Sequence, residues 1–239
     1  MTLLAVFRLE LRRLLVQPLA WVLLALGLAW LGWCFTRLLG DFLAGEIQRA
    51  ALPLLGQLAQ IAFLVVPLLA MSTLAGERRN GTLPLLFAAG VPASRIVLGK
   101  YLALLPWLLA WLLLTLAMPL ALAHTTTPDW GKLAAATLGI ALMLAALAAL
   151  AVAASAFTSH PAIAAVVALL LGLALWTVNL GAQMAGIDGG AINWLAMSTH
   201  GQNLLRGLVS TADILWFVLL VAVCLALATR RLAADKERG

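Results

Sequence analysis

Long runs without a single Asp, Glu, Lys or Arg dominate this chain, and the longest, Leu133 to Ile187, covers 55 residues. As one helix it would extend roughly 80 Å at about 1.5 Å per residue. A hydrocarbon core is only about 30 Å thick, so the run must fold back on itself. Ser159-His160-Pro161 interrupts it near the middle and predicts a helical hairpin there. Shorter uncharged runs cover Leu14–Thr36, Ala50–Gly76 and Tyr101–Pro128. The last, Ile214–Thr229, has 16 residues and can span if Asp213 and Arg230 sit in the two headgroup regions. The pattern predicts six spans, near residues 18–38, 51–75, 100–123, 133–157, 161–183 and 211–230.

Such runs leave few charges elsewhere. Of 239 residues, 64% are hydrophobic and 10% charged, with a mean hydropathy of +1.08. Soluble domains carry about 25% charged residues to cover their cores. A soluble enzyme, a disordered chain and a disulfide scaffold are therefore excluded. The fold class is all-α, a single polytopic membrane domain over 1–239. Too little chain remains for a soluble catalytic domain, so chemistry that needs one falls to a partner. Cys34 and Cys224 lie inside apolar stretches and read as small buried hydrophobes.

The net charge of +6 is a topology signal rather than a nucleic-acid one. With the N-terminus inside, eleven Lys and Arg residues fall on the cytoplasmic side (Arg8, Arg12, Arg13, Arg78, Arg79, Arg95, Lys100, Arg230, Arg231, Lys236, Arg238). Four fall outside: Arg37, Arg49, Lys132 and Arg206. Both termini are then cytoplasmic, in the inner membrane. Residues 184–210 are uncharged over most of their length but hold Asn193, Ser198, His200, Gln202 and Asn203, which are costly against lipid. They read as an outer interfacial or re-entrant segment. The basic N-terminus lacks the short apolar core and cleavage site of a signal peptide. Instead Leu3, Leu4, Phe7, Leu11, Leu14 and Leu15 share one helical face, with Arg8, Glu10, Arg12 and Arg13 around the rest. Residues 1–16 therefore read as a helix lying in the cytoplasmic interface.

No acidic residue lies well inside a span, whereas ion-coupled carriers keep ionisable groups at depth. Ser159 and His160 are adjacent but sit at a turn, and His124 and His200 read as isolated loop histidines. No His or Cys pair has metal-ligand spacing. Gly99-Lys100 is followed by Tyr101 and lacks a glycine at 94, so it is not the end of a phosphate-binding loop. Gln57, Gln60, Thr115 and Asn179 are scattered polar groups.

The most informative stretch is the loop 77–98. Its Glu77-Arg78-Arg79 turn precedes a short helix near 82–89, with Thr82 as a candidate cap and Pro84 in the first turn. Leu83, Leu86 and Phe87 cluster on one face, suited to a groove on a partner protein. The run Glu77-Arg78-Arg79-x-Gly81-Thr82-Leu83-x-Leu85-Leu86, with Pro92-x-Ser94-Arg95 and Gly99-Lys100, resembles the permeases of ABC-2 type transporters. It looks most like the gliding-motility and copper-centre-maturation branch. Phe7-Arg8-x-Glu10-Leu11, with Arg12 and the later Pro18, is similar to that branch's N-terminal interface helix. Ser198-Thr199-His200, Leu204-x-Arg206-Gly207, Asp213 and Arg230-Arg231-Leu232 are similar to its closing stretch. Pro84 stands where relatives commonly have Glu, which removes a capping-box partner for Thr82.

The resemblance implies a permease subunit that exports a substrate or transmits ATP-driven motion to extracytoplasmic partners. It would pair with a second copy, or with a second permease, including one with an extracytoplasmic domain. Separate ATP-binding subunits would bind ATP and Mg²⁺ and carry out hydrolysis, leaving this chain without a catalytic, metal or cofactor site. Residues 82–89 would be the coupling helix, and Glu77, Arg78 and Arg79 would orient it or touch the ATPase. A non-transporting membrane scaffold also fits six uncharged spans, and a secondary carrier fits less well.

Overall fold

The computed structural model describes residues 3–42, 47–121, 129–186 and 190–238. All regular structure among them is helical. Six helices are long and apolar enough to cross a membrane. They are α2 (Pro18–Phe42), α3 (Ile47–Ala70), α6 (Ala93–Leu120), α7 (Trp130–Phe157), α8 (Pro161–Met184) and α11 (Thr211–Arg238). The chain is thus an all-α polytopic membrane protein, as its uncharged runs require. The described residues also form five shorter helices: α1 (Leu3–Val16), α4 (Ala75–Arg79), α5 (Leu83–Ala88), α9 (Gly190–Leu195) and α10 (Met197–Leu205). His124 and the side chain of Arg49 lie outside the described residues.

The spans alternate in direction, so the short helices sort to the two ends of the bundle. One end carries α1, α4, α5, the α7–α8 turn and the last turns of α11. The opposite end carries α9 and α10. The α7–α8 turn falls at Thr158–His160, where Thr158 Oγ1 accepts from the His160 amide at 2.9 Å and Pro161 opens α8. Proline suits that position because its missing amide has no helical partner there.

Helix α7 is the centre of the bundle, with α3, α6, α8, α10 and α11 packed around it. Every residue from Ala146 to Ala156 is buried, and most are alanine. In a bilayer, lipid tails are as apolar as leucine, so helices associate through close packing rather than escape from water. Alanine permits close backbone approach and keeps the helix stable. Asp129 caps the N-terminus of α7 by accepting from the Lys132 amide at 3.2 Å. The outward faces of α2, α8 and α11 present Trp21, Leu26, Trp30, Val166, Leu170, Val218 and Leu227, a coat suited to acyl chains.

Candidate functional site

At the end bearing the termini, α1 lies against the start of α6. Gly99 makes the contact possible: a Cβ there would sit 2.8 Å from Val6 Cγ1. The buried positions of α1 are Val6, Glu10 and Leu14, spaced by four on one face. Glu10 is therefore not on the polar outer face expected from the sequence. It faces inward because α6 offers it a cation: Lys100, whose side chain is 1% exposed, donates to Glu10 Oε2 at 3.0 Å. Lys100 Nζ also donates to Glu77 Oε1 at 2.7 Å. Arg13 Nη1 approaches Glu10 and Glu77 at 3.8 and 3.7 Å. Two acids and two bases thus tie α1, α4 and α6 together with no net charge. Phe7 and Leu11 are partly buried on the apolar core, while Arg8 and Arg12 are exposed.

Helix α3 stops at Ala70, and α4 starts afresh at Ala75. Thr73 helps end it, its hydroxyl donating back to the Ala70 carbonyl at 2.8 Å, a bond that competes with the helical ladder. The break lies in a buried environment, where unpaired backbone groups are costly. Ser155 of α7 satisfies it. Its Oγ accepts from the amides of Leu74 and Ala75 at 3.1 and 2.9 Å and donates to the Met71 carbonyl at 3.0 Å. One serine amid the alanines of α7 thus holds the start of the loop.

Arg78 continues the attachment. It donates to the Thr158 carbonyl at 3.1 Å and pairs with Asp235 near the end of α11. Arg79, by contrast, is exposed. Gly81 takes φ +68°, the left-handed turn that a side chain would strain. Thr82 does not cap α5 with its side chain; its backbone sits at φ −85°, ψ −15°, and its hydroxyl lies 3.3 Å from the Glu77 carbonyl. A capping side chain needs extended backbone at that residue, and the tight turn from α4 denies it. In α5, Leu83 is buried and Leu86 and Phe87 pack partly on the core. The face grouped in the sequence as partner-facing is thus substantially used within the chain. Leu85 is the large apolar residue left outward, 69% exposed. A groove of about 470 Å³ separates α5 from the end of α11, lined by Arg78, Gly81, Leu83, Phe87, Ala88 and Asp235.

At the opposite end, His200 is not isolated. It is buried on α10, with Nδ1 2.5 Å from Asp213 Oδ1 of α11. Its Nε2 donates to the Trp194 carbonyl at 2.9 Å, and its ring stacks on Trp216 at 4.9 Å. Asn203 reaches the other Asp213 oxygen at 3.4 Å, and Ser198 donates to Asn179 of α8 at 3.1 Å. Helix α10 lies close on α7, since a Cβ at Gly139 would meet Leu204 Cβ at 2.6 Å. Ser198, His200 and Asn203, which looked expensive in lipid, are therefore paired inside the protein, while Asn193 and Gln202 are exposed.

Sequence reasoning singled out Glu77 and Arg78 but not their partners. Lys100 and Asp235 are distant in sequence, and Ser155 has no local signal. Glu10 did have one, its four-residue spacing from Val6 and Leu14. Among the described residues no cluster of His, Cys, Asp or Glu could hold a metal ion.

Six spans, a loop of two short helices at one end and a buried helical segment at the other define a polytopic membrane protein. The family model described as ABC-2 family transporter protein matches residues 47–230. The chain belongs to this family, as a membrane permease subunit of an ABC transporter that works with a separate ATP-binding subunit. Comparison with curated proteins gives no match.

Proposed function

We propose that this permease works as an exporter, or as a transmitter of ATP-driven motion, of the gliding-motility and copper-centre-maturation branch. The end bearing the termini faces the cytoplasm across an inner membrane. The exposed cations Arg8, Arg12, Arg79, Arg95, Arg230 and Lys236 at that end support this orientation. A second copy or a second permease completes the membrane unit, and the ATP-binding subunits hold ATP and Mg²⁺.

The observation that carries the reading is α5. It is a separate short helix, anchored through Leu83 yet presenting Leu85 outward. That shape suits a coupling helix, which must meet a partner on one side and pull on the bundle from the other. Glu77 and Arg78 orient it through their ties to Lys100 and Asp235. Arg79 is left to meet the ATPase. Leu86 and Phe87 transmit the load inward through their packing.

The test is co-purification with the ATP-binding subunit and nucleotide-driven flux in proteoliposomes. Leu85→Asp leaves the chain inserted but weakens subunit docking and flux, and Phe87→Asp does so more severely because it also disturbs the packed side. Normal docking and flux in both variants would refute the coupling role of α5. Docking without any nucleotide-driven flux in the wild type would instead mark a scaffold.

A further inference from the structure

Helix α11 carries Asp213 near its start and Asp235 and the exposed Glu237 near its end; Asp213 and Asp235 are each committed to a different short-helix segment. Asp235 pairs with Arg78, in the loop that leads into α5. Asp213 pairs with His200 on α10, at the opposite end of the bundle. The two carboxylates are separated by about 33 Å of helix at about 1.5 Å per residue, close to the thickness of a hydrocarbon core.

The stiffness of the element between them differs from that of its neighbours. The sequence of α11 from Thr211 to Arg238 contains no glycine and no proline, unlike the other five spans. The spans that continue directly from the loop both contain internal prolines, Pro53 and Pro67 in α3 and Pro106 and Pro119 in α6. Proline removes a helical hydrogen bond and permits a bend. Displacement of the loop can thus be absorbed along α3 and α6, whereas α11 offers an unbroken path. It runs along the central α7, and Phe217, Cys224, Ala228 and Leu232 are buried on its inner side.

We infer that α11 is a strut with a side-chain joint at each end, coupling the α4–α5 loop to the α9–α10 segment. Arg78 and Asp235 form one joint; His200 and Asp213 form the other. All four are positioning residues. The strut deepens the permease reading above, for it names the path by which motion at α5 reaches the far end. It also makes a claim about the chain alone, because coupling between two sites is reciprocal.

The test is hydrogen exchange on the full chain in lipid nanodiscs, without an ATP-binding subunit, so the result is independent of subunit docking. Asp235→Asn raises exchange in the loop and, through α11, about fivefold in residues 197–205. His200→Gln raises exchange in 197–205 and, reciprocally, in residues 78–88. Exchange in α2, which packs on α1, α3 and α6, stays unchanged in both, and Asp235→Glu, which keeps the charge, restores the far-end protection. If each variant loosens only its own end, or if all helices loosen together, the strut is refuted.

Discussion

Replacing Lys100 with methionine tests whether the ion cluster under α1 holds that helix in place. Methionine keeps much of the side-chain volume and removes the charge. Lys100 is 1% exposed and lies 3.0 Å from Glu10 and 2.7 Å from Glu77. Without it the two carboxylates, 6% and 12% exposed, keep only Arg13 at 3.8 and 3.7 Å. Removing one partner of a buried ion pair costs about 3–5 kcal/mol, because the other charge is stranded. In a protein of this size 1 kcal/mol moves the melting point by about 2–4 °C, so the expected drop is about 6–20 °C. Glu10→Gln is the control. It leaves Lys100 paired with Glu77 and costs about 1–3 kcal/mol. The assay is thermal unfolding in detergent at one fixed scan rate, since irreversible unfolding makes the midpoint rate-dependent. A Lys100→Met variant that melts with the wild type, or no lower than Glu10→Gln, refutes the reasoning.

Ser155→Ala strips the acceptor from the Leu74 and Ala75 amides, at about 1–3 kcal/mol for each buried group left unpaired. Hydrogen exchange at those two amides rises before that of α7 itself; unchanged exchange would remove Ser155 from its role. Gly139→Val places a Cβ against Leu204, overpacking the contact at a cost of about 1–3 kcal/mol. It lifts α10, so a cysteine introduced at Gln202 labels faster, and an unchanged labelling rate counts against the close approach. For topology, single cysteines are introduced after Cys34 and Cys224 are replaced. One at Asn80 labels only after permeabilisation and one at Asp129 labels from outside; the reverse pattern inverts the orientation.

The number of spans was legible in the sequence because lipid acts on each segment alone. A helix in hydrocarbon satisfies its own backbone, so an uncharged run of sufficient length is nearly a structure by itself. The α7–α8 hairpin was legible for the same reason, with Pro161 marking where the second helix begins. The loop was located by its charges and by Pro84. The inward turn of Glu10 was partly legible in its spacing from Val6 and Leu14. What ran against it was the habit of assigning charge to the outer face, which holds only when no buried cation waits opposite.

Pairing across the bundle was not legible. Ser155 is 80 residues from Ala75, and Arg78 is 157 from Asp235. Nothing local in either segment names its partner, because such hydrogen bonds depend on which helices become neighbours. His200 looked plain for the same reason: its meaning lies in Asp213 on another helix. The apolar trio Leu83, Leu86 and Phe87 formed one face on paper, and only packing decided how much of it the chain itself covers.

By itself, then, the sequence determined a six-span helical membrane protein, the side on which its cations gather and the loop that stands apart. The bilayer imposes those features segment by segment, through the cost of charges and bare peptide groups in hydrocarbon. The tertiary structure alone decided that Lys100 bridges two carboxylates, that Ser155 closes the break after α3, and that α11 is pinned at both ends. Those are short-range interactions between distant residues, and they exist only once the helices have packed.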